Sequence, residues 1–125
     1  MQITHVAIWV RDLETMRGFY TNVLGGVSGA LYQNPATGFS SCFVAFGEGP
    51  RLELMHKSGS EPSAIAAGGY GHIALALGSR TAVVDALTQL RERGVPVASE
   101  PRVTGDGYYE AVVLDPEQNR VELTV

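Results

Sequence analysis

The chain has 125 residues, of which 45% are hydrophobic and 18% charged, so it can bury one core and is predicted to form a single domain over residues 1–125. Its net charge of −4, without a run of Lys or Arg, argues against binding to nucleic acids or membrane surfaces, which requires a basic footprint. The one cysteine cannot form an internal disulfide. Neither a signal sequence nor the roughly 18 apolar residues of a transmembrane helix are recognisable, which predicts a cytoplasmic protein.

The first part of the chain reads as a strand followed by a helix. His5 opens the apolar run HVAIWV, and Asp12 is a residue type that caps helix N-termini. Gly25 ends the segment, as glycine commonly does after a helix. Between the two, apolar residues recur at helical spacing at Leu13, Met16, Tyr20 and Val23. The pattern predicts an amphipathic helix that lays one face on a sheet.

Three extended segments are predicted to follow this helix. Residues 27–31 are compatible with a short strand, and residues 39–46 and 50–55 are apolar runs that flank the glycine-rich turn GEG. The first module is therefore predicted to be βαβββ over residues 1–55. The next segment, 56–71, is small, polar and rich in glycine, which predicts a linker.

The second half repeats this order of elements. The apolar run HIALAL at 72–77 matches the first strand, Ser79 is the helix-capping residue and Gly94 ends the helix. Further extended segments lie at 95–99, 108–114 and 120–125, the last two joined by the turn DPEQN. The second module, 72–125, is therefore also predicted to be βαβββ, and the fold class to be α+β.

Two carboxylates stand in the middle of apolar strands, in RLELM and in RVELTV. A buried, unpaired carboxylate costs several kcal/mol, so both need partners. Side chains alternate along a strand, and the leucines and valines beside each acid belong on the helix side. The same alternation puts the two strand-opening histidines on the face away from the helices. This face is predicted to carry His5, Glu53, His72 and Glu122.

Two imidazoles and two carboxylates that line one cleft between the halves are the donors of a divalent-metal site. Taken singly, each of them reads more simply as a solvated or hydrogen-bonded strand residue. Their recurrence at equivalent positions of two modules favours metal binding. The donor set suits Zn, Ni, Co, Mn or Fe and does not choose among them.

Three further residues are weaker candidates. Cys42 lies among apolar strand residues and is predicted to be a small core residue. His56 lies three residues after Glu53, so alternation puts it on the opposite face as an exposed strand-end residue. Tyr109 follows the loop TGDG and either covers the cleft or is an ordinary strand aromatic.

The segments HVAIWVRDLETMRGFYTNVLGG, LELM, YGHIALAL and LDPEQNRVELTV resemble the vicinal oxygen chelate superfamily, and within it the glyoxalase I-like members. The resemblance covers essentially the whole chain. It implies paired βαβββ modules that make a cupped, eight-stranded mixed sheet, and often a homodimer whose sites draw on both chains. It also implies four metal ligands, which fall on His5, Glu53, His72 and Glu122.

The resemblance implies an activity of the lactoylglutathione lyase class. Such a lyase or isomerase acts on a small substrate with vicinal oxygens, derived from a 2-oxoaldehyde, and passes through an enediolate on the metal. Glu122, near the chain end, is the implied base that moves the proton, whereas Glu53 is the firmer ligand and can serve the opposite stereoface.

Two departures from glyoxalase I leave open whether glutathione is the thiol. Trp9 stands where those enzymes have an arginine that grips the glutathione carboxylate, and Lys57 replaces an asparagine. Trp9, Lys57 and Tyr109 are therefore candidate substrate contacts, and Trp9 equally fits an aromatic packed in the sheet.

Two other functions of the same superfamily remain open. One is different metal-dependent chemistry, by an epimerase or a dioxygenase, although ring-cleaving dioxygenases resemble a pattern without the equivalent of Glu53. The other is non-catalytic binding of a small molecule, as in bleomycin-resistance proteins, although drug-sequestering members generally lack the ligands.

Overall fold

The computed structural model of the protein describes residues 5–59, 72–104 and 107–125. The chain divides into two compact units, Met1–Ala64 and Ile65–Val125. Each unit contains one β-sheet and one main helical segment, so the α+β class predicted from the sequence is confirmed.

The first unit begins with a strand and a helix, as predicted. The Asp12 carboxylate accepts a hydrogen bond from the Thr15 backbone N–H at 3.0 Å and thereby caps the helix. The helix continues directly into one π-helical turn, and Gly25, with φ of 77°, ends the segment in the left-handed conformation that glycine adopts readily. The elements are β1 (His5–Trp9), α1 (Leu13–Gly18), the π-helical turn (Phe19–Val23), β2 (Val27–Ser28), β3 (Tyr32–Asn34), β4 (Phe39–Ala45) and β5 (Arg51–Lys57).

The five strands of this unit form one mixed sheet. Its order is β1-β5-β4-β2, with β3 paired to β4, and β1 runs parallel to β5. Helix α1 packs on β4 and β5, which buries one face of the sheet. The core on this side includes Val10, Leu13, Met16, Phe19, Tyr20, Cys42, Val44, Leu52 and Leu54.

The second unit has the same plan in four strands. The Ser79 hydroxyl accepts a hydrogen bond from the Ala82 backbone N–H at 3.1 Å, and Gly94, with φ of 78°, follows the helix end. The sheet order is β6-β9-β8-β7, with β6 parallel to β9, and the helix packs on β7, β8 and β9. The elements are β6 (Ile73–Ala76), α2 (Arg80–Glu92), β7 (Val97–Val103), β8 (Tyr109–Leu114) and β9 (Arg120–Thr124).

The strands differ from the predicted ones in four places. β7 covers Val97–Val103 where residues 95–99 were predicted, and β2 covers only Val27–Ser28 of the predicted residues 27–31. The short strand β3 was not predicted, and β5 runs two residues further than expected because Lys57 still pairs with Phe39 of β4. His56 and Lys57 are thus strand residues and not the start of the linker; residues 60–71 of the predicted linker lie outside the described residues. Within the part of the chain that the structure describes, no helix is long and apolar enough to cross a membrane.

Candidate metal site

The first histidine–glutamate pair lies on adjacent parallel strands. Glu53 on β5 is in register with Ala7 on β1, so His5, two residues earlier, lies on the same sheet face as Glu53. The His5 Nε2 atom is 3.7 Å from Oε2 of Glu53, whose side chain is 16% exposed. Leu52 and Leu54, on either side of Glu53, are buried on the helix side. The strand alternation predicted from the sequence is therefore confirmed for this pair.

Aromatic and cationic side chains border this first pair. Phe43 on β4 lies opposite Glu53 in the sheet, and the His5 ring meets the Phe43 ring edge to face, with 5.4 Å between centroids. The Arg51 guanidinium carbon lies 4.3 Å from the centroid of the same ring. Edge-to-face ring contacts and cation–π contacts are both directional. The contact with Phe43 therefore favours one orientation of the His5 ring.

The second pair has the same relation to its sheet. Glu122 on β9 is in register with Ala74 on β6, and His72 comes two residues before Ala74. The His72 Nε2 atom is 3.2 Å from Oε2 of Glu122, whose side chain is 11% exposed. Val112 on β8 occupies the cross-strand position that Phe43 occupies in the first unit. An aliphatic side chain thus borders the second pair where an aromatic ring borders the first.

The separations within both pairs fit donors to one divalent ion. Two donors about 2.1 Å from an ion are roughly 3.0 to 3.4 Å apart at octahedral to tetrahedral angles. The second pair lies within this range, and the first is a few tenths of an ångström wider, which is also too long for a hydrogen bond. No group of three or more His, Cys, Asp or Glu side chains placed to share an ion occurs in the described residues, so the joining of the two pairs stays a prediction.

Trp9 and Lys57 lie on the sheet face of the first pair, at the opposite end of the strands. Trp9 is 51% exposed and meets Phe39 edge to face at 6.1 Å, and Lys57 pairs with Phe39 across the strands. The Tyr32 ring on β3 is tilted against the same Phe39 ring, with 6.1 Å between centroids. The position of Trp9 in an exposed aromatic cluster, defined by Trp9, Tyr32 and Phe39, is compatible with a substrate contact.

Tyr109 lies on the helix side of the second sheet and not on the face of Glu122. The guanidinium carbon of Arg80, at the start of α2, lies 4.9 Å from the centroid of the Tyr109 ring. Tyr109 and Val103 are in register, whereas the neighbouring Glu110 points to the other face with Arg102. The structure therefore does not bring Tyr109 together with the predicted ligands.

His56 and Cys42 both face the core of the first unit. His56 lies on the face opposite Glu53, as predicted, but it is half-buried and its Nδ1 is 3.1 Å from the Val10 carbonyl oxygen, so the predicted exposure is wrong. Cys42 is 1% exposed, and burial raises the pKa of its thiol, which confirms a core residue and argues against a nucleophile.

Two polar residues of the second sheet were missed at the level of the sequence. Glu110 on β8 is 8% exposed, and its Oε1 accepts a hydrogen bond from Arg102 Nη2 on β7 at 3.1 Å. A signal for Glu110 was present, because it is a third acid inside an apolar strand, YYEAVVL. Its partner was hidden, because β7 and β8 change register between Ser99 and Arg102.

The family model of the Glyoxalase/Bleomycin resistance protein/Dioxygenase superfamily matches residues 2–123. The chain is similar to the lactoylglutathione lyase of Salmonella typhimurium, with 34% identity over 98% of this chain and 91% of that protein. It is also similar to the mitochondrial methylmalonyl-CoA epimerase of Bos taurus, with 35% identity over 92% of this chain and 67% of the relative. Among solved structures, a V278E variant of glyoxalase I from Zea mays shares the fold, with a TM-score of 0.84 and 24% identity over 98% of this chain; the chain spans 44% of that protein.

Proposed function

The chain belongs to the Glyoxalase/Bleomycin resistance protein/Dioxygenase superfamily, and on that premise we propose that it is a metal-dependent, glyoxalase I-like lyase or isomerase. The substrate is a small molecule with vicinal oxygens, derived from a 2-oxoaldehyde. The observation that carries this proposal is the recurrence of a histidine–glutamate pair at equivalent positions of both sheets. The 34% identity to a lactoylglutathione lyase supports the reaction class.

The proposed ligands are the two pairs, contributed by one chain or by two copies of it. Two neutral imidazoles and two carboxylates give a borderline donor set with a charge that balances a divalent ion. When bound, such an ion supplies Lewis-acid polarisation of the substrate oxygens. The ligands of this proposal are His5, Glu53, His72 and Glu122.

Glu122 is the proposed base. Its side chain is 11% exposed, and its Oε2 atom lies 3.2 Å from Nε2 of His72. Oε2 of Glu122 would take the proton from one substrate carbon and return it to the adjacent carbon. Glu53 would act as the firmer ligand, as the resemblance to glyoxalase I implies.

A second candidate function is epimerisation, which the 35% identity to a methylmalonyl-CoA epimerase favours. One carboxylate would remove a proton from a carbon and the other would deliver one to the opposite face, so Glu122 and Glu53 would both act as acid–base groups. A glyoxalase-like reaction moves the proton between neighbouring carbons and requires only one of them.

Elemental analysis of the purified protein, followed by reconstitution of the metal-free form with Zn, Ni, Co, Mn and Fe(II), tests the site. We expect about one metal per His–Glu–His–Glu set, and loss of binding in His5→Ala and His72→Ala. A stoichiometry near zero, with no metal bound on reconstitution, would remove the central claim.

Turnover assays then separate the reaction types. The metal-loaded protein is incubated with hemithioacetals of methylglyoxal and several thiols, and with methylmalonyl thioesters in deuterated water. Product formation from the first set supports the lyase or isomerase, and deuterium exchange restricted to the second supports the epimerase. Tight binding of either set without conversion would support the non-catalytic alternative.

We further propose a homodimer, because each sheet carries the proposed ligands on the face away from its helix, and this face needs a second module opposite it. Two copies of the chain can satisfy both faces with symmetric contacts. Light scattering at micromolar concentration should give the mass of a dimer, and a monomer with full metal occupancy would contradict it. The cytoplasmic location stays a prediction.

A further inference from the structure

We propose that Arg102, held in place by Glu110, binds an anionic group of the substrate on the sheet face that carries Glu122. The proposal rests on the proposed function and deepens it, because it names the substrate class: a small molecule whose end distal to the reacting carbon bears a carboxylate or a similar anion. It assigns this role to the second sheet, at a position that is distinct from Trp9 and Lys57.

A local change of register puts Arg102 on this face. Ser99 pairs with Val112, and Arg102 pairs with Glu110, so β7 advances by three residues where β8 advances by two. Regular alternation would turn a residue three positions after Ser99 to the opposite face. The extra residue in β7 restores the original face, as a β-bulge does. Arg102 therefore lies on the same sheet face as Val112 and Glu122.

The burial of the ion pair is unequal in a way that suits ligand binding. The Glu110 side chain is 10% exposed and that of Arg102 is 59% exposed, although the two are joined at 3.1 Å. A buried carboxylate is costly without a hydrogen-bonded partner, so Glu110 ties Arg102 to the sheet. One N–H of the Arg102 guanidinium donates a hydrogen bond to Glu110. A guanidinium carries five N–H donors in a planar arrangement that matches the two oxygens of a carboxylate.

Another arginine of the same unit shows what an ordinary surface pair looks like. Arg91 on α2 contacts Glu100 on β7 at 2.6 Å, and their side chains are 52% and 70% exposed. Glu100 lies between Ser99 and Arg102, where the register changes, and its partner Arg91 is on the helix side of the sheet. Both partners are solvated, so this pair resembles the surface ion pairs that contribute little. Arg91 is therefore a matched control for Arg102.

The electrostatics of the face require a cation if the substrate is an anion. Glu110 and Glu122 lie on the same face as diagonal neighbours, since Val112 is opposite Glu122 and Glu110 is opposite Thr124. With the proposed divalent ion balancing the charge of Glu122, Glu110 is the carboxylate of these two that would repel an anionic ligand, and the Arg102 charge offsets it. Strand β7 is two strands away from β9, so the anion would lie about 10 Å from the strand of the proposed base.

Matched ligands that differ only in charge test this proposal. The probes are ω-mercaptoalkanoic acids of increasing chain length and their primary amides. Both are methylated at sulfur so that they cannot form hemithioacetals. Calorimetry measures their binding to the metal-loaded protein. The corresponding free thiols are used to form hemithioacetals with methylglyoxal, and kcat and KM are measured separately. The variants are Arg102→Gln, Arg102→Lys and, as control, Arg91→Gln.

We expect the wild-type protein to bind acids of suitable length about 10-fold more tightly than their amides. Arg102→Gln should abolish this preference by weakening acid binding alone, with KM raised and kcat little changed, and Arg102→Lys should restore part of it. Arg91→Gln should behave as wild type. A similar affinity for acids and amides at every length, or an acid preference that survives Arg102→Gln, would overturn the proposal. An acid preference that depends on Arg102, found in a protein that converts none of the hemithioacetals, would retain the anion site and reject the proposed reaction.

Discussion

The two units place a histidine and a glutamate at equivalent positions of equivalent sheets but surround them with different side chains. In the first unit Phe43 contacts the His5 ring, and an exposed aromatic cluster stands further along the same face. In the second unit an aliphatic residue, Val112, takes the place of Phe43, and the ion pair of Arg102 and Glu110 lies beside it. The backbone repeat places a histidine and a glutamate on one face of each sheet, whereas the neighbouring strands determine which side chains surround them.

The two carboxylates also differ in their immediate geometry. Glu122 lies 3.2 Å from its histidine and Glu53 lies 3.7 Å from its own, with side-chain exposures of 11% and 16%. These differences are small, so the unequal roles proposed for the two acids rest mainly on the resemblance to glyoxalase I. Substitutions made at equivalent positions of both units therefore have the greatest power to establish whether the units work alike.

The largest difference is expected between Glu122→Gln and Glu53→Gln. The amide oxygen still coordinates weakly, so Glu122→Gln should keep much of the metal yet lose about 10²-fold or more in kcat, because no base remains. Glu53→Gln should weaken metal binding and reduce kcat less. Metal content and single-turnover rates measured on the same samples separate the two effects. Full turnover by metal-loaded Glu122→Gln would transfer the proton step to Glu53 or to another base.

A smaller effect is expected from Phe43→Leu, which gives the first unit an aliphatic neighbour like that of the second. Loss of the edge-to-face contact should free the His5 ring and lower metal affinity by about 2- to 10-fold, measured by chelator competition. Phe39→Leu is the control, since this ring lies on the same strand and contacts Trp9 instead. Equal losses in both variants would mean that Phe43 acts through general stability and not through His5.

The helix caps should respond differently to pH. Hydrogen bonds from the Thr15 backbone and side chain hold the pKa of Asp12 below its ordinary value of 3.8, so its stabilisation is present above that pH and declines as the pH falls through the lowered pKa. Ser79 does not titrate. Ser79→Ala should cost about 1 kcal/mol in the free energy of unfolding at both pH 7 and pH 3, because the hydrogen bond from the Ala82 backbone N–H to the Ser79 hydroxyl is lost.

Asp12→Ala should instead destabilise the protein at neutral pH and progressively less below the ordinary pKa of the carboxyl. Urea unfolding of each variant and of the wild type at a series of pH values measures the difference. A penalty for Asp12→Ala that grows on acidification would show that the charge of Asp12 does not stabilise the helix.

The smallest effect concerns Cys42, whose counterpart in the second sheet is the equally buried Ala111. Burial raises the pKa of the Cys42 thiol, so little thiolate exists at neutral pH and alkylating reagents should react only slowly with the folded protein. Mass spectrometry after iodoacetamide treatment should show one adduct in denaturant and almost none without it. Rapid native labelling would mean that this part of the first core opens readily.

The helix ends could be predicted because they depend on local chemistry. The same holds for the sheet face on which each histidine–glutamate pair lies. Asp12 and Ser79 cap helices through backbone groups three residues away, and Gly25 and Gly94 adopt the conformation that ends them. The facing of Glu53 follows from the alternation of a regular strand whose leucines must be buried. Such interactions span a few residues, so the order of residue types is sufficient to specify them.

The sequence by itself thus determined the α+β class, the repeated plan and the shared faces of the two histidine–glutamate pairs, because each follows from periodicity along one strand or helix. The tertiary structure decided what depends on a neighbouring strand. Pairing with Phe39 extends β5 to Lys57, the Val10 carbonyl gives His56 a half-buried partner, and the register change in β7 carries Arg102 to Glu110. These contacts join residues whose alignment depends on how strands pair, and strand pairing across a sheet is a non-local property that periodicity does not encode.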